Sequence, residues 1–477
     1  MRLVAINRGD PMKLKNMLAG AAAFVALSSS AFGQSATAPT GTPMVDKWNY
    51  KGVSISLGGF LAFETVYRSN SELADIGSTF GGIPLGNSSV GHTSEFRETA
   101  RQSRYAMLVQ GDIDPNTHGA FYGEFDFLGA PQGANSNESN SFAPRIRHLY
   151  GTIDWDDLGW HILAGQNWSL VTLNQSGEAP RTELPPPTID AQYVVGFAWT
   201  RQPQLRIVKD FDKRYFIGLS LENPQTTFFT GANALPASLH LTFNGTPGSG
   251  FSTVNTLSLN HIPDIIVKMA AEPDEAHNIH VELLGMFRNF YDRYNFHNDN
   301  VYGSAVGAGL FMKVIPGMLD VQATALYGQG IGRYGTSQLP DATIRPDGKI
   351  EPITENELLA GVTWHTTPML DIYVFGGREQ DLTKSYDLAG VPYGYGNPNY
   401  SNSGCISETA SGSCVGNTKE VDQITVGLWD KLYKGNFGEF RLGLQYSYTE
   451  RKTFEGIGGA PNGKDNMFFT SFRYYPF

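Results

Sequence analysis

From Val53 onward apolar and polar residues alternate with a period of two, the spacing that sends successive side chains to opposite faces of a strand. In Leu319-Asp320-Val321-Gln322-Ala323-Thr324-Ala325 the apolar residues take one face and Asp320, Gln322 and Thr324 the other. The stretch from Phe440 to Tyr448 behaves the same way. So do Phe121 to Phe127, with Tyr122, Glu124 and Asp126 on the polar face, and Ile279 to Leu283, with His280 and Glu282 opposite. The pattern predicts sixteen strands, at 53–67, 103–113, 118–128, 145–155, 159–167, 196–210, 214–222, 263–272, 277–288, 301–314, 318–328, 355–366, 369–378, 419–429, 437–450 and 466–477. Segment 196–210 contains Pro203 and is read as one strand with a bulge at the proline.

The connections alternate in length. Seven are short, around Asp114-Pro115-Asn116, Asp156-Asp157, Asp212-Lys213, Pro273-Asp274, Ile315-Pro316-Gly317, Thr367-Pro368 and Lys434-Gly435. The other eight are longer and rich in Gly, Asn, Ser and Pro. A soluble sandwich also alternates along its strands. Tilted strands of 9–11 residues or more, joined by short turns at one end and long loops at the other, are instead the layout of an outer-membrane barrel. The predicted fold is therefore all-β: a 16-stranded antiparallel transmembrane β-barrel, porin-like, with short periplasmic turns and long extracellular loops. An even count puts both termini on the periplasmic side. The chain closes on Phe472-Arg473-Tyr474-Tyr475-Pro476-Phe477, where Ser471 and Arg473 fall in step with Phe477 and Phe472 and Tyr474 do not.

Composition supports this picture. Of 477 residues, 54 are Gly, 12% are aromatic and only 17% are charged, below the roughly 25% of soluble proteins. The longest apolar run, Leu18 to Leu27, is too short to cross a bilayer as a helix. Preceded by Lys13 and Lys15 and followed by Ser28-Ser29-Ser30 and Ala31-Phe32-Gly33, it reads as a secretory signal over 1–33, cleaved before Gln34. Met12 is an alternative start, because Met1 to Pro11 adds nothing to the signal. Residues 34–52 are then a short periplasmic segment, and 53–477 the barrel. Cleavage takes the net charge from −11 to −14, because Arg2, Arg8, Lys13, Lys15 and Asp10 leave. Such an acidic chain lacks the clustered positive charge a nucleic-acid partner requires. Export also places Cys405 and Cys414, the two cysteines, in an oxidising compartment, where one loop-closing disulfide is expected.

Sixteen strands leave an aqueous lumen, and the default consequence is passive diffusion of small polar solutes. The third long loop, 168–195, carries Glu178, Arg181, Glu183 and Asp190 and the stiff run Pro185-Pro186-Pro187. It is expected to fold inward as a constriction, with the prolines lowering the entropy lost in fixing it. Strict alternation turns Arg104 and Gln110, Gln202, Gln204 and Arg206, Arg288 and Arg441 into the lumen, along with Glu124, Asp126, Glu282 and Asp320. Arginines facing carboxylates across a narrow gap would set up a transverse field, and forked guanidinium donors suit carboxylate solutes. Arg145 and Arg147 admit two placements. Alternation from Leu149 puts them on the outer rim, near anionic lipopolysaccharide, whereas a bulge before His148 turns them inward.

Five motifs resemble the DcaP-like porins, trimeric outer-membrane channels of Gram-negative bacteria. They are Gly123-Glu124-Phe125-Asp126-Phe127, Arg145-Ile146-Arg147-His148-Leu149-Tyr150-Gly151, Leu163-Ala164-Gly165-Gln166-Asn167-Trp168-Ser169, Arg201-Gln202-Pro203-Gln204-Leu205-Arg206 and Ser220-Leu221-Glu222-Asn223-Pro224. They keep the family's order over about 100–225. The resemblance implies a homotrimer in outer-membrane lipid. It also implies a lumen lined by Arg104, Arg145, Arg147, Arg201 and Arg206, with Arg145 and Arg147 turned inward, passing small anions such as dicarboxylates. The chain departs from the family in having no long periplasmic coiled-coil segment before the first strand.

Other signals carry less. Gly458 to Lys464 nearly spells a phosphate-binding loop, but Asp465 stands where a Ser or Thr must hold magnesium. The ten histidines show no zinc spacing, and no cofactor or metal is expected. Asp292, Asp299 and Asn300, in the fifth long loop, are the one candidate calcium cluster. His161 and His365 lie near strand ends without a Ser or Asp pattern that would make an outer-membrane hydrolase. A non-conducting adhesin is the remaining alternative to a porin.

Overall fold

The computed structural model describes residues 48–129, 142–236, 238–243 and 257–476, and in it sixteen long antiparallel strands close into a barrel. They are β1 (Val53–Arg68), β2 (Arg104–Asp114), β3 (Thr117–Gly129), β4 (Ala143–Trp155), β5 (Trp160–Trp168), β6 (Arg201–Phe211), β7 (Tyr215–Glu222) and β8 (Asp264–Ala271). The second half comprises β9 (Ile279–Tyr294), β10 (His297–Ile315), β11 (Leu319–Gln329), β12 (Thr354–Thr367), β13 (Leu370–Asp381), β14 (Thr418–Gly435), β15 (Gly438–Thr453) and β16 (Asn462–Tyr475). Each strand pairs with its sequence neighbours, and β1 closes the ring by pairing Leu61–Arg68 with Met467–Tyr474 of β16. Its other edge is divided: Val53–Phe60 pairs with β2, and Glu64–Arg68 with the short segment Glu95–Thr99. The expected signal segment 1–33, residues 34–47 and the terminal Phe477 lie outside the described residues.

The alternation inferred from sequence sorts residues as expected. Outward positions such as Phe63, Leu283, Tyr302 and Val306 are exposed and apolar, with Val306 at 65%. On β16, Phe468 and Phe472 face out, while Ser471 and Arg473 face in and bond Glu64. The turns at the end bearing the chain termini are short; Pro115 and Asn116 alone join β2 to β3.

Among the boundaries that differ from expectation, two change what counts as loop. β6 starts at Arg201, so residues 196–200 belong to the preceding loop. Pro203 pairs in register with Gln166 and needs no bulge. It sits near the strand end, where β7 first pairs at Gln204 and a missing N–H costs little. The β9–β10 connection is not a long loop: the two strands continue as a tall hairpin closed by Asn295 and Phe296, with φ of 45° and 69°. Two consecutive positive φ values make the tight turn that suits twisted antiparallel strands. Asp292 and Asp299 are thereby a cross-strand pair, while Asn300 opposes Tyr291 one position away and so on the other face. The candidate calcium cluster does not assemble.

The interior is not uniformly polar. Ile76, Phe80 and Ile83 from the first long loop, with Ile189, Val194, Val195 and Phe197 from the third, pack on inward Val66, Tyr373, Phe375, Trp429, Met467 and Phe469. Leu170 and Val171 pack on Ile266, Met286, Ala305, Leu326, Ile331 and Tyr334. The hydrophobic core of this barrel thus lies inside the wall, and it is built from loops.

Because the outward face is apolar, Val306→Arg is expected to lower unfolding free energy in lipid vesicles by about 2–4 kcal/mol. Denaturant titration of vesicle-folded protein measures this, and an unchanged midpoint would place Val306 away from lipid.

Candidate functional site

The loop over residues 169–200 leaves β5 and is held inside the barrel at points around most of the wall. Its backbone N–H groups donate to inward side chains: Leu170 to Glu222 of β7 at 2.8 Å, Asn174 to Glu282 of β9 at 2.9 Å and Ile189 to Gln445 of β15 at 2.6 Å. Val195 donates to Gln423 of β14 at 3.0 Å and Gly196 to Glu379 of β13 at 2.7 Å. Lys268 of β8 donates to the Thr172 carbonyl at 2.8 Å, and the Trp429 indole to that of Pro187 at 2.7 Å. A buried loop carries backbone groups that no ladder pairs, so the wall must supply their partners. Here Glu and Gln at inward strand positions do so.

One sector of the wall concentrates arginine. A bulge in the β3–β4 ladder sets His148 opposite Glu124 and Ile146 opposite Phe125, leaving Arg147 as the extra residue. Arg147 and His148 are both buried as a result, and the parity of the strand reverses above them, so Arg145 points inward too. Arg145 grips Asp126 with two bonds of 2.9 and 2.6 Å. Arg147 bonds Glu124 at 2.5 Å, Asp126 at 3.0 Å and the Tyr193 hydroxyl at 3.2 Å. Arg104 of β2 reaches Glu124 at 3.9 Å. Arg201 of β6 lies with its guanidinium 4.5 Å from the centre of the Trp168 ring. Among the described residues it meets no hydrogen-bond acceptor, and its Nη1 is buried. Three guanidiniums therefore share two carboxylates, with Arg201 as a fourth beside them.

Those two carboxylates do not face the arginines across a gap, as the sequence suggested. β3 lies between β2 and β4, so Glu124 and Asp126 are lateral neighbours within the same wall. The opposing acidic surface is one that sequence reasoning missed. Glu355 and Glu357 of β12 pair across strands with Asp381 and Glu379 of β13, and all four are buried. β12 is eight strands from β4 in a ring of sixteen, half-way round. Their alternate spacing, 355 and 357, 379 and 381, was the available signal. Glu379 accepts from Gly196 N, from Thr336 N and hydroxyl, and from Ser337 N, at 2.7–3.0 Å. The loop thus runs from the basic wall at Tyr193 to the acidic wall at Gly196, three residues later.

The remaining predicted residues take mixed roles. Asp190 is buried and accepts from the Ser78 hydroxyl at 2.6 Å, tying the third loop to the first. Glu183 accepts from Asn167 at 2.8 Å and from the Arg181 backbone N–H at 2.7 Å. Arg181 bonds the Tyr150 hydroxyl at 3.3 Å. Arg206 is buried, donating to the Trp168 carbonyl at 2.6 Å and to Gln204 at 3.0 Å, so it helps hold the loop's first residues rather than standing free. Glu178 is buried against β7, and burial pushes its carboxyl up to about 7. Arg288 is spent on Asp264 and Asp341. Arg104 and Arg441 line a cavity of about 330 Å³ below Pro185–Pro187, with Asp320, His365 and Asp371 also on it. Cys405 and Cys414 are disulfide-bonded within the loop between β13 and β14.

A closed sixteen-stranded barrel with an inward-folded third loop and a wall of arginine beside it defines an architecture of the porin type. Among solved structures, the chain is similar to the outer membrane channel DcaP of Acinetobacter baumannii, with a TM-score of 0.63 and 18% identity, covering 90% of this chain and 99% of that one. Salmonella typhi OmpF, solved with daunomycin, gives a TM-score of 0.48 at 10% identity, covering 90% of this chain and 100% of that one. Pseudomonas putida OprB gives 0.47 at 10%, covering 88% and 94%. No protein-family profile matches the chain, and no curated protein matches it by sequence.

Glu379→Ala strips the acceptor from donors in two loops at once. The expected result is a larger, noisier single-channel current and a loss of about 3 kcal/mol in stability, because each stranded buried donor costs ~1–3 kcal/mol. An unchanged current would show that the apolar contacts alone seat the loop.

Proposed function

We propose that this protein is a trimeric outer-membrane porin of the DcaP-like kind, exported by its 1–33 signal, passing small polar solutes and favouring small anions, carboxylates above all. The observation that carries the reading is the arginine wall. Three guanidiniums share two carboxylates, and the fourth, Arg201, meets no hydrogen-bond acceptor among the described residues. Planar guanidinium forks match carboxylates in geometry and charge, and a like-signed patch in a narrow, low-dielectric passage raises the local concentration of the opposite ion. The resemblance of five motifs to those of the trimeric DcaP-like porins supports the trimer. The apolar exterior suits outer-membrane lipid and lipopolysaccharide.

The test is single-channel conductance in a planar bilayer under a salt gradient. The expected record is a current in steps of three with a reversal potential favouring anions, shifted several-fold toward cations by combining Arg104→Ala with Arg201→Ala. A selectivity that both variants leave unchanged overturns the arginine wall as its cause. A well-folded protein that carries no current overturns the porin reading in favour of an adhesin.

A further inference from the structure

Three histidines at the short-turn end of the barrel repeat one arrangement. His161 of β5 stands between Asp154 of β4, 2.7 Å from its Nδ1, and Asp210 of β6, 2.9 Å from its Nε2. His365 of β12 stands between Asp371 of β13, at 2.6 Å, and Asp320 of β11, at 3.3 Å. His118 of β3 stands between Asp112 of β2, at 2.7 Å, and Asp156 of the β4–β5 turn, at 3.3 Å. In each case the nearer acid is the direct cross-strand partner: Asp112 of His118, Asp154 of His161 and Asp371 of His365. Spacing along the chain hides the pattern, because register across strands creates it.

This geometry fixes the charge. A neutral imidazole has one N–H and one bare nitrogen, so it donates to one carboxylate and turns a lone pair on the other. Only the imidazolium donates to both. Six carboxylates therefore hold three imidazoliums, and each proton lost leaves the wall one charge more negative. The groups are open to the lumen. The side chains of His118, His161 and His365 are 38%, 26% and 32% exposed, and each lines a chamber inside the barrel.

The other charges around them are of both signs. Asp114 stands near His118, and Arg181 lies across its chamber. Lys213, Glu178 and Glu272 line the His161 chamber. Lys431 of β14 pairs with Asp371 at 2.8 Å, and Arg441 lines the His365 chamber. Lys and Arg keep their charge through the range in which histidine exchanges its proton. Glu178, in the loop, is a further group that ionises near neutrality.

We propose that His118, His161 and His365 are specificity-determining residues of the periplasmic exit, setting its ion preference by their protonation. Protonated, they offset half of the charge on six carboxylates, and anions drawn in by the arginine wall pass. Deprotonated, they leave those carboxylates facing the lumen, which repels anions and favours cations. The inference rests on the porin reading and adds a titratable determinant to the permanent charge of the arginines.

The test is the reversal potential of single channels under a salt gradient, read at about pH 5.5 and about pH 8.5. The unaltered protein is expected to lose anion preference several-fold between the two. The combined variant His118→Gln, His161→Gln and His365→Gln, uncharged at those positions throughout, is expected to show the alkaline selectivity at both. Each single variant is expected to remove about a third of the shift, since well-separated sites act additively, and these carry the test if the combined variant does not fold. Glu178→Gln is expected to leave the shift in place. A conducting channel whose selectivity ignores pH, a shift that the histidine variants leave intact, or one that Glu178→Gln abolishes overturns the proposal and leaves the porin reading standing. A well-folded protein without current overturns both.

Discussion

Everything in this molecule depends on closing one hydrogen-bonded ring. In hydrocarbon an unpaired backbone N–H or C=O costs several kcal/mol, so a sheet with free edges has no place there. β1 meets this constraint by serving two partners in register, β2 along its first half and β16 along its second, with Glu95–Thr99 covering the stretch that β2 leaves open. Gly59, at φ 119°, sits at that changeover, where a Cβ would stand 2.1 Å from the Arg104 carbonyl oxygen. A side chain there would push β2 off the ladder.

Closure creates a second problem, and the loop solves it. A ring of this size encloses more space than its own inward side chains fill. Residues 169–200 enter that space and bring backbone donors that need partners. The wall answers with Glu222, Glu282, Glu379, Gln423 and Gln445, each an inward residue on a different strand. Apolar inward residues such as Phe375, Trp429 and Phe469 hold the loop's Val194, Val195 and Phe197 by burial. Polar partners fix where the loop lies; apolar ones supply most of the driving force. One loop thus divides the lumen, with the arginine-lined sector on one side of it.

The arginine sector shows how small the local device is. One extra residue at Arg147 in the β3–β4 ladder reverses the facing of the strand above it. Without that bulge Arg145 would lie on the outer rim. With it, two further guanidiniums join Arg104 and Arg201 in the lumen, and Glu124 and Asp126, one strand away, hold two of the four in fixed orientation. Arg201, stacked on Trp168, meets no hydrogen-bond acceptor among the described residues.

Alternation along the chain by itself determined the barrel, its strand number and the facing of most side chains, because a period of two is a local property that lipid outside and water inside both enforce. It also determined that Arg104, Glu124 and Asp126 face inward. It did not show that Glu124 and Asp126 bind the arginines from the adjacent strand, because which inward residues touch depends on cross-strand register. Alternation left Arg145 and Arg147 undecided, because a bulge changes parity without changing composition. It turned β9–β10 into a loop, because polar residues in a hairpin that rises beyond the barrel resemble loop residues in sequence. Tertiary structure alone decided that Glu379 meets Gly196, that Gly218 makes room for Glu178 and that Arg201 lies on Trp168. Each of these is a meeting of segments distant in sequence, and only the closed ring brings them within reach of one another.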